Sequence, residues 1–102
     1  MKRLELLDRA VVWIREHEEL MDTMPSLSIH LAEESATIVF GFFRPDSETL
    51  QSIVKLFSGQ TASCVYTPSA DAFRVTRTDG LWFAWHVWNT DSFNTRPKEI
   101  TL

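Results

Sequence analysis

The chain is poor in cysteine and glycine and has no long apolar run. Its 102 residues hold one cysteine, Cys64, which excludes an internal disulfide framework and leaves too few thiolates for a cysteine-based zinc site. Three widely spaced glycines can supply neither a phosphate loop nor a dinucleotide-binding Gly-x-Gly-x-x-Gly, and no Gly-x-Ser-x-Gly occurs. No apolar stretch approaches the roughly 20 residues that a membrane span needs. Positive charge is also short. Ten Lys and Arg against fourteen Asp and Glu give a formal charge of −4, which argues against non-specific binding to nucleic acid or to an anionic membrane. The opening Met1-Lys2-Arg3-Leu4-Glu5 runs into charged helical sequence rather than a signal-peptide apolar stretch. The expectation is a soluble, reduced, cytoplasmic protein.

What is present is enough for a core. Residues are 44% hydrophobic and 12% aromatic, too apolar for a disordered chain, and the length fits one compact domain. That domain is expected over 1–90, with a polar tail over 91–102 that is either loose or a short edge strand.

Helical spacing opens the chain. Leu4, Leu7, Val11, Ile14 and Met21 form one stripe, with Leu6, Ala10, Trp13 and Leu20 beside it. Together they cover an arc of roughly 200°, so one stripe can dock on a sheet while the other meets a second helix or a partner. Pro25 ends this element, expected from about Arg3 to Thr23, because the residue before proline is pushed out of the α region. Two alternating runs follow. Leu27, Ile29 and Leu31 alternate with Ser28 and His30, and Ala36, Ile38, Phe40 and Phe42 alternate with Thr37, Val39, Gly41 and Phe43. A hairpin across Glu33-Glu34 puts Leu27, Ile29 and Leu31 on the side of Ala36, Ile38 and Phe40.

A second helix follows Pro45, with Asp46 as its N-cap, Glu48 favourably placed against the helix dipole and Gly59 as C-terminal cap. Its face is Leu50, Ile53, Val54 and Phe57. The remainder is β: Ala62 to Thr67, Ala72 to Thr78 and Leu81 to Trp88, the last two flanking Thr78-Asp79-Gly80. A two-residue Asp-Gly loop would set Phe73 and Val75 on the face of Trp82, Ala84 and His86. A three-residue loop with Gly80 left-handed sets them with Leu81, Phe83, Trp85 and Val87, gathering the apolar residues on one face. The second option is expected. The order α-β-β-α-β-β-β describes an α+β, two-layer domain: an antiparallel sheet of about five strands with two helices on one face.

Such a domain leaves one sheet face without helices. By these registers that face carries His30, Phe43, Arg74, Trp82, His86 and Trp88 among smaller residues. Tryptophan and arginine are enriched at interface hot spots, so these six are the candidate partner-binding residues. Exposed aromatics beside an arginine also occur on single-strand nucleic-acid platforms, but the chain is acidic and lacks the basic stripe that holds phosphates. His17, His30 and His86 are scattered, and His17-Glu18-Glu19 lacks the second histidine that a metalloprotease helix requires. No metal or other cofactor is expected. Cys64 lies in the apolar run Ala62-Ser63-Cys64-Val65-Tyr66, where a thiol is inert packing. The carboxylates Glu16, Glu18, Glu19 and Asp22 form a solvated face. No enzyme is expected.

The stretch Val12-Trp13-Ile14-Arg15-Glu16-His17-Glu18-Glu19-Leu20, followed by Met24-Pro25-Ser26-Leu27-Ser28-Ile29-His30, resembles the opening of small acidic proteins encoded in actinobacteriophage genomes. In those proteins a Trp-Ile-x-x-His helix runs into a proline and then a Ser-Ile-His strand. The resemblance covers about the first third of the chain. It implies a small accessory protein that acts on host machinery or host defence by binding, and it assigns no functional residue. The expected function is a non-enzymatic protein-binding module whose open sheet face takes a host protein in the host cytoplasm or a second copy. The alternative is an immunity-type or regulatory protein whose acidic helix surface binds a basic partner.

Overall fold

A computed structural model describes residues 2–44, 47–67, 69–88 and 98–102. Helix α1 spans Arg3–Glu16 and a one-turn helix α2 spans Glu18–Met21. The single long helix expected over this stretch is therefore broken at His17 (φ −118°, ψ 31°). At the break the imidazole Nδ1 lies 2.7 Å from the Trp13 carbonyl oxygen and the ring stacks on the Trp13 indole at 4.1 Å. The same carbonyl also accepts from the His17 amide at 3.2 Å, an amide shared with the Ile14 carbonyl as the turn tightens.

Strands β1 (Leu27–Leu31) and β2 (Ala36–Phe43) form the expected hairpin, with Ile29 opposite Ile38 and Leu31 opposite Ala36. Helix α3 spans Glu48–Leu56, and its cap is Ser47, whose hydroxyl accepts from the Leu50 amide at 3.1 Å. Ser47 takes the role expected of Asp46, which lies outside the described residues. Gly59, beyond the last turn, is left-handed at φ +84°. Strands β3 (Thr61–Tyr66), β4 (Ala70–Thr76), β5 (Leu81–Trp88) and β6 (Glu99–Thr101) follow among the described residues.

The class is α+β, and among the described residues the sheet has six strands in the order β1-β2-β5-β4-β3-β6. The sixth is the tail strand β6, paired antiparallel with β3 and tied at its end by the Gly59 amide to the Leu102 carbonyl at 2.7 Å. Neighbours are antiparallel except β2 and β5, which run parallel with Ile38 opposite Phe83. Both are interior strands whose side chains are mostly apolar on either face, the pattern of strands flanked on both sides. Gly80 links the two ends of this pair. At φ +86° it closes the expected three-residue loop, and its carbonyl accepts from the Ala36 amide at 2.9 Å, where the parallel ladder begins. Asp79 locks the same turn: Oδ1 accepts from the Leu81 amide at 3.2 Å, and the carboxylate pairs with Arg77 and, at 3.6 Å, with Arg9 of α1.

The core fills the space between the helices and one sheet face. Leu6, Ala10 and Trp13 of α1, Ile53 of α3 and Phe57 just after it meet Ile38, Phe40, Val75, Phe83 and Trp85. Phe57 stacks on Trp85 at 5.7 Å and approaches Phe83 at 4.7 Å, so the C-terminal end of α3 sits over the middle of β5. The hairpin register holds as expected: Phe73 opposes Trp85 and Val75 opposes Phe83. Burying the eight largest fully enclosed side chains here supplies on the order of 2 kcal/mol each against the conformational entropy of ordering the chain.

Strand β2 departs from its alternation. Val39 opposes Ala84, but Phe42 opposes His86, so Phe40 and Gly41 together face Trp85 as a bulge. Gly41 is where the chain needs no side chain: its amide donates to the Ser26 carbonyl at 3.0 Å, and a Cβ there would lie 2.4 Å from Ser26 Oγ and 3.2 Å from the Pro25 ring. The extra residue inverts every side chain that follows. Phe43, expected on the open face, is therefore in the core at 4% exposure, and Phe42 takes its place outside at 44%.

Candidate functional site

Pairing across the sheet builds the open face row by row. Ser28, Val39, Ala84, Arg74 and Ser63 lie abreast, one from each of β1, β2, β5, β4 and β3. On one side of this row are His30, Thr37, Trp82 and Thr76; on the other are Phe42, His86, Ala72 and Val65. Alanines at the middle of two rows leave a depression between larger neighbours. The result is a groove of about 530 Å³ whose lining includes His30, Val39, Val65, Arg74, Ala84 and His86.

Chemistry is unequal along the groove. At the hairpin end the Arg74 guanidinium lies 5.7 Å from the Trp82 ring centre, within cation–π range. At the opposite end Phe42 packs on Trp88 at 4.5 Å and on His86 at 4.9 Å, an aromatic cluster whose outer members remain about half exposed. Near the β1 edge the His30 Nε2 is 3.1 Å from Ser28 Oγ. Val65, 64% exposed, is an apolar wall on the β3 side. Cationic and imidazole groups thus share this face with uncovered aromatics, and Glu99 stands in the same row as Ser63 at the β6 edge.

Of the six residues expected to form the face, His30, Arg74 and His86 line the groove, while Trp82 and Trp88 flank it on the same side. Phe43 does not reach it, for the reason given. Phe42 and Val65 were not anticipated. A glycine inside an apolar strand is the one local signal that could have located Phe42, because such a glycine often marks a bulge.

Cys64 lies on the opposite side of β3 and is buried, its amide donating to the Lys98 carbonyl at 2.7 Å. Burial pushes its thiol above the usual value of 9.0, with Glu99 adding to the rise and a hydrogen bond with Tyr66 opposing it. Among the described residues no group of three or more His, Cys, Asp or Glu side chains could hold a metal ion. No helix among them is long and apolar enough to cross a membrane. The fold and face define an α+β domain with an aromatic, groove-bearing open sheet. No protein-family model, curated protein or solved structure matches the chain.

Proposed function

We propose that the chain is a non-enzymatic protein-binding module that docks a partner on its open sheet face, working as a phage-encoded accessory protein on a host protein in the host cytoplasm. The observation that carries this reading is the Phe42–His86–Trp88 cluster, contiguous aromatic surface left uncovered at the end of a groove. Uncovered apolar patches of this kind mark interaction sites, and Trp and Arg are enriched among hot-spot residues. Apolar side chains of the partner would fill the groove, and a carboxylate would meet Arg74 with a charge-assisted hydrogen bond.

The test is capture from host lysate followed by titration of the purified partner. Wild type is compared with Trp88→Ala and Arg74→Ala, and with Leu4→Ala on the far helix as control. The partner is expected to bind wild type and the control alike. Trp88→Ala should weaken it by about 30-fold, the equivalent of a hot spot of roughly 2 kcal/mol. A partner held equally by all four would refute the face. It would move the contact to the α1 and α2 carboxylates, where affinity should fall steeply with salt.

A further inference from the structure

The two edges of the sheet are built differently. Strand β6 is a three-residue edge, bounded by Lys98 and carrying Glu99, the short and charged form that discourages further pairing. Strand β1 is five residues long, Leu27-Ser28-Ile29-His30-Leu31, and its ladder to β2 runs without a bulge. It contains no proline, lysine or carboxylate. Leu27 and Leu31 are 37% and 39% exposed although they project to the helix side.

The hydrogen-bond phase of β1 is legible from its flanks. The Gly41 amide donates to the Ser26 carbonyl, and the Ala32 amide to the Ser35 carbonyl. In an antiparallel ladder such pairs recur every second residue, so Ser28 and His30 direct their backbone groups to β2. Leu27, Ile29 and Leu31 direct theirs outward, and among the described residues no strand pairs with that side.

We infer that this edge pairs with the β1 edge of a second copy, antiparallel and two-fold symmetric about Ile29. That register sets Ile29 against its own counterpart and Leu27 against Leu31 of the other copy. These are the residues whose N–H and C=O groups point outward, so about six hydrogen bonds form with every donor facing an acceptor. Side chains agree with the backbone. On the helix side Leu27 covers Leu31 and Ile29 covers Ile29; on the open side Ser28 faces His30. The flanks agree too, since Glu33 falls opposite Pro25 and Glu34 opposite Met24, and no carboxylate opposes another. A one-residue slip would oppose outward groups to inward ones and lose the ladder. The dimer joins two six-stranded sheets into one and sets the two grooves side by side on a common face.

Sedimentation equilibrium over a concentration series tests this. Wild type is expected to approach twice the 11.8 kDa chain mass. Leu27→Lys/Leu31→Lys sets lysine against lysine at both ends and should raise the dimer Kd by at least about tenfold. Leu27→Glu/Leu31→Lys sets opposite charges together in the same register and should return it to within about threefold of wild type. Circular dichroism establishes that each variant is folded. Amide exchange provides a reading free of substitution: protection at Leu27, Ile29 and Leu31 should rise with concentration, while Ser28 and His30 stay constant. A wild type that is monomeric at about 1 mM, a Glu/Lys variant as weak as the Lys/Lys variant, or exchange that ignores concentration would each overturn the inference.

Discussion

Alanine at position 42 or 43 separates two neighbours that the bulge at Gly41 sends to opposite sides of the sheet. Phe43 is 4% exposed and belongs to the main core cluster, so Phe43→Ala removes a buried ring and leaves a cavity. Such truncations cost about 3–5 kcal/mol. Phe42 is 44% exposed and touches Trp88 and His86 from one side only. Aromatic pairs contribute about 0.5–1.5 kcal/mol, and partial exposure keeps the loss near the middle of that range, about 1 kcal/mol. For a domain of this size each kcal/mol lowers Tm by about 4–8 °C. Thermal denaturation followed by circular dichroism should therefore show Phe43→Ala melting at least about 12 °C below wild type, and Phe42→Ala about 4–8 °C below it. Unbroken alternation through β2 would give the reverse order. If Phe42→Ala were the more damaging change, or the two were equal, the bulge and the face built on it would both be refuted.

Other outcomes follow from the same geometry. Gly80→Ala combines a left-handed backbone with a Cβ 2.8 Å from Leu6 Cδ2, whereas Gly59→Ala carries a similar φ with nothing within 4 Å. Urea denaturation should show a loss of about 1 kcal/mol at Gly59 and about 2 kcal/mol or more at Gly80; equal losses would mean that the turn does not press on α1. The folded state holds the Cys64 proton to higher pH than the unfolded chain, because burial disfavours the thiolate. This contribution is unchanged below the ordinary thiol range, and stability falls as pH rises through that range toward the raised folded value. Cys64→Ser should flatten that alkaline decline, and an identical decline in the variant would assign it to other groups.

Local patterns in the chain were enough to determine much of this protein. The 3.6-residue period located α1 and α3. The two-residue period located β1 and β2, and the apolar residues on either side of Asp79-Gly80 chose a three-residue loop. Each of these rests on residues close in sequence, where side-chain partition between core and solvent leaves a direct trace. The break at His17 left a weaker trace, because the apolar period runs on across it through Leu20 and Met21. Tertiary structure decided the rest. That β5 lies parallel to β2, and that the tail closes the sheet beside β3, are choices among distant strands, made by which packing buries the most apolar surface. The face of Phe43 was decided in the same way. Pro25 and Ser26 press against β2 where only glycine fits, the strand gains a residue there, and a period of two cannot carry its phase across that point.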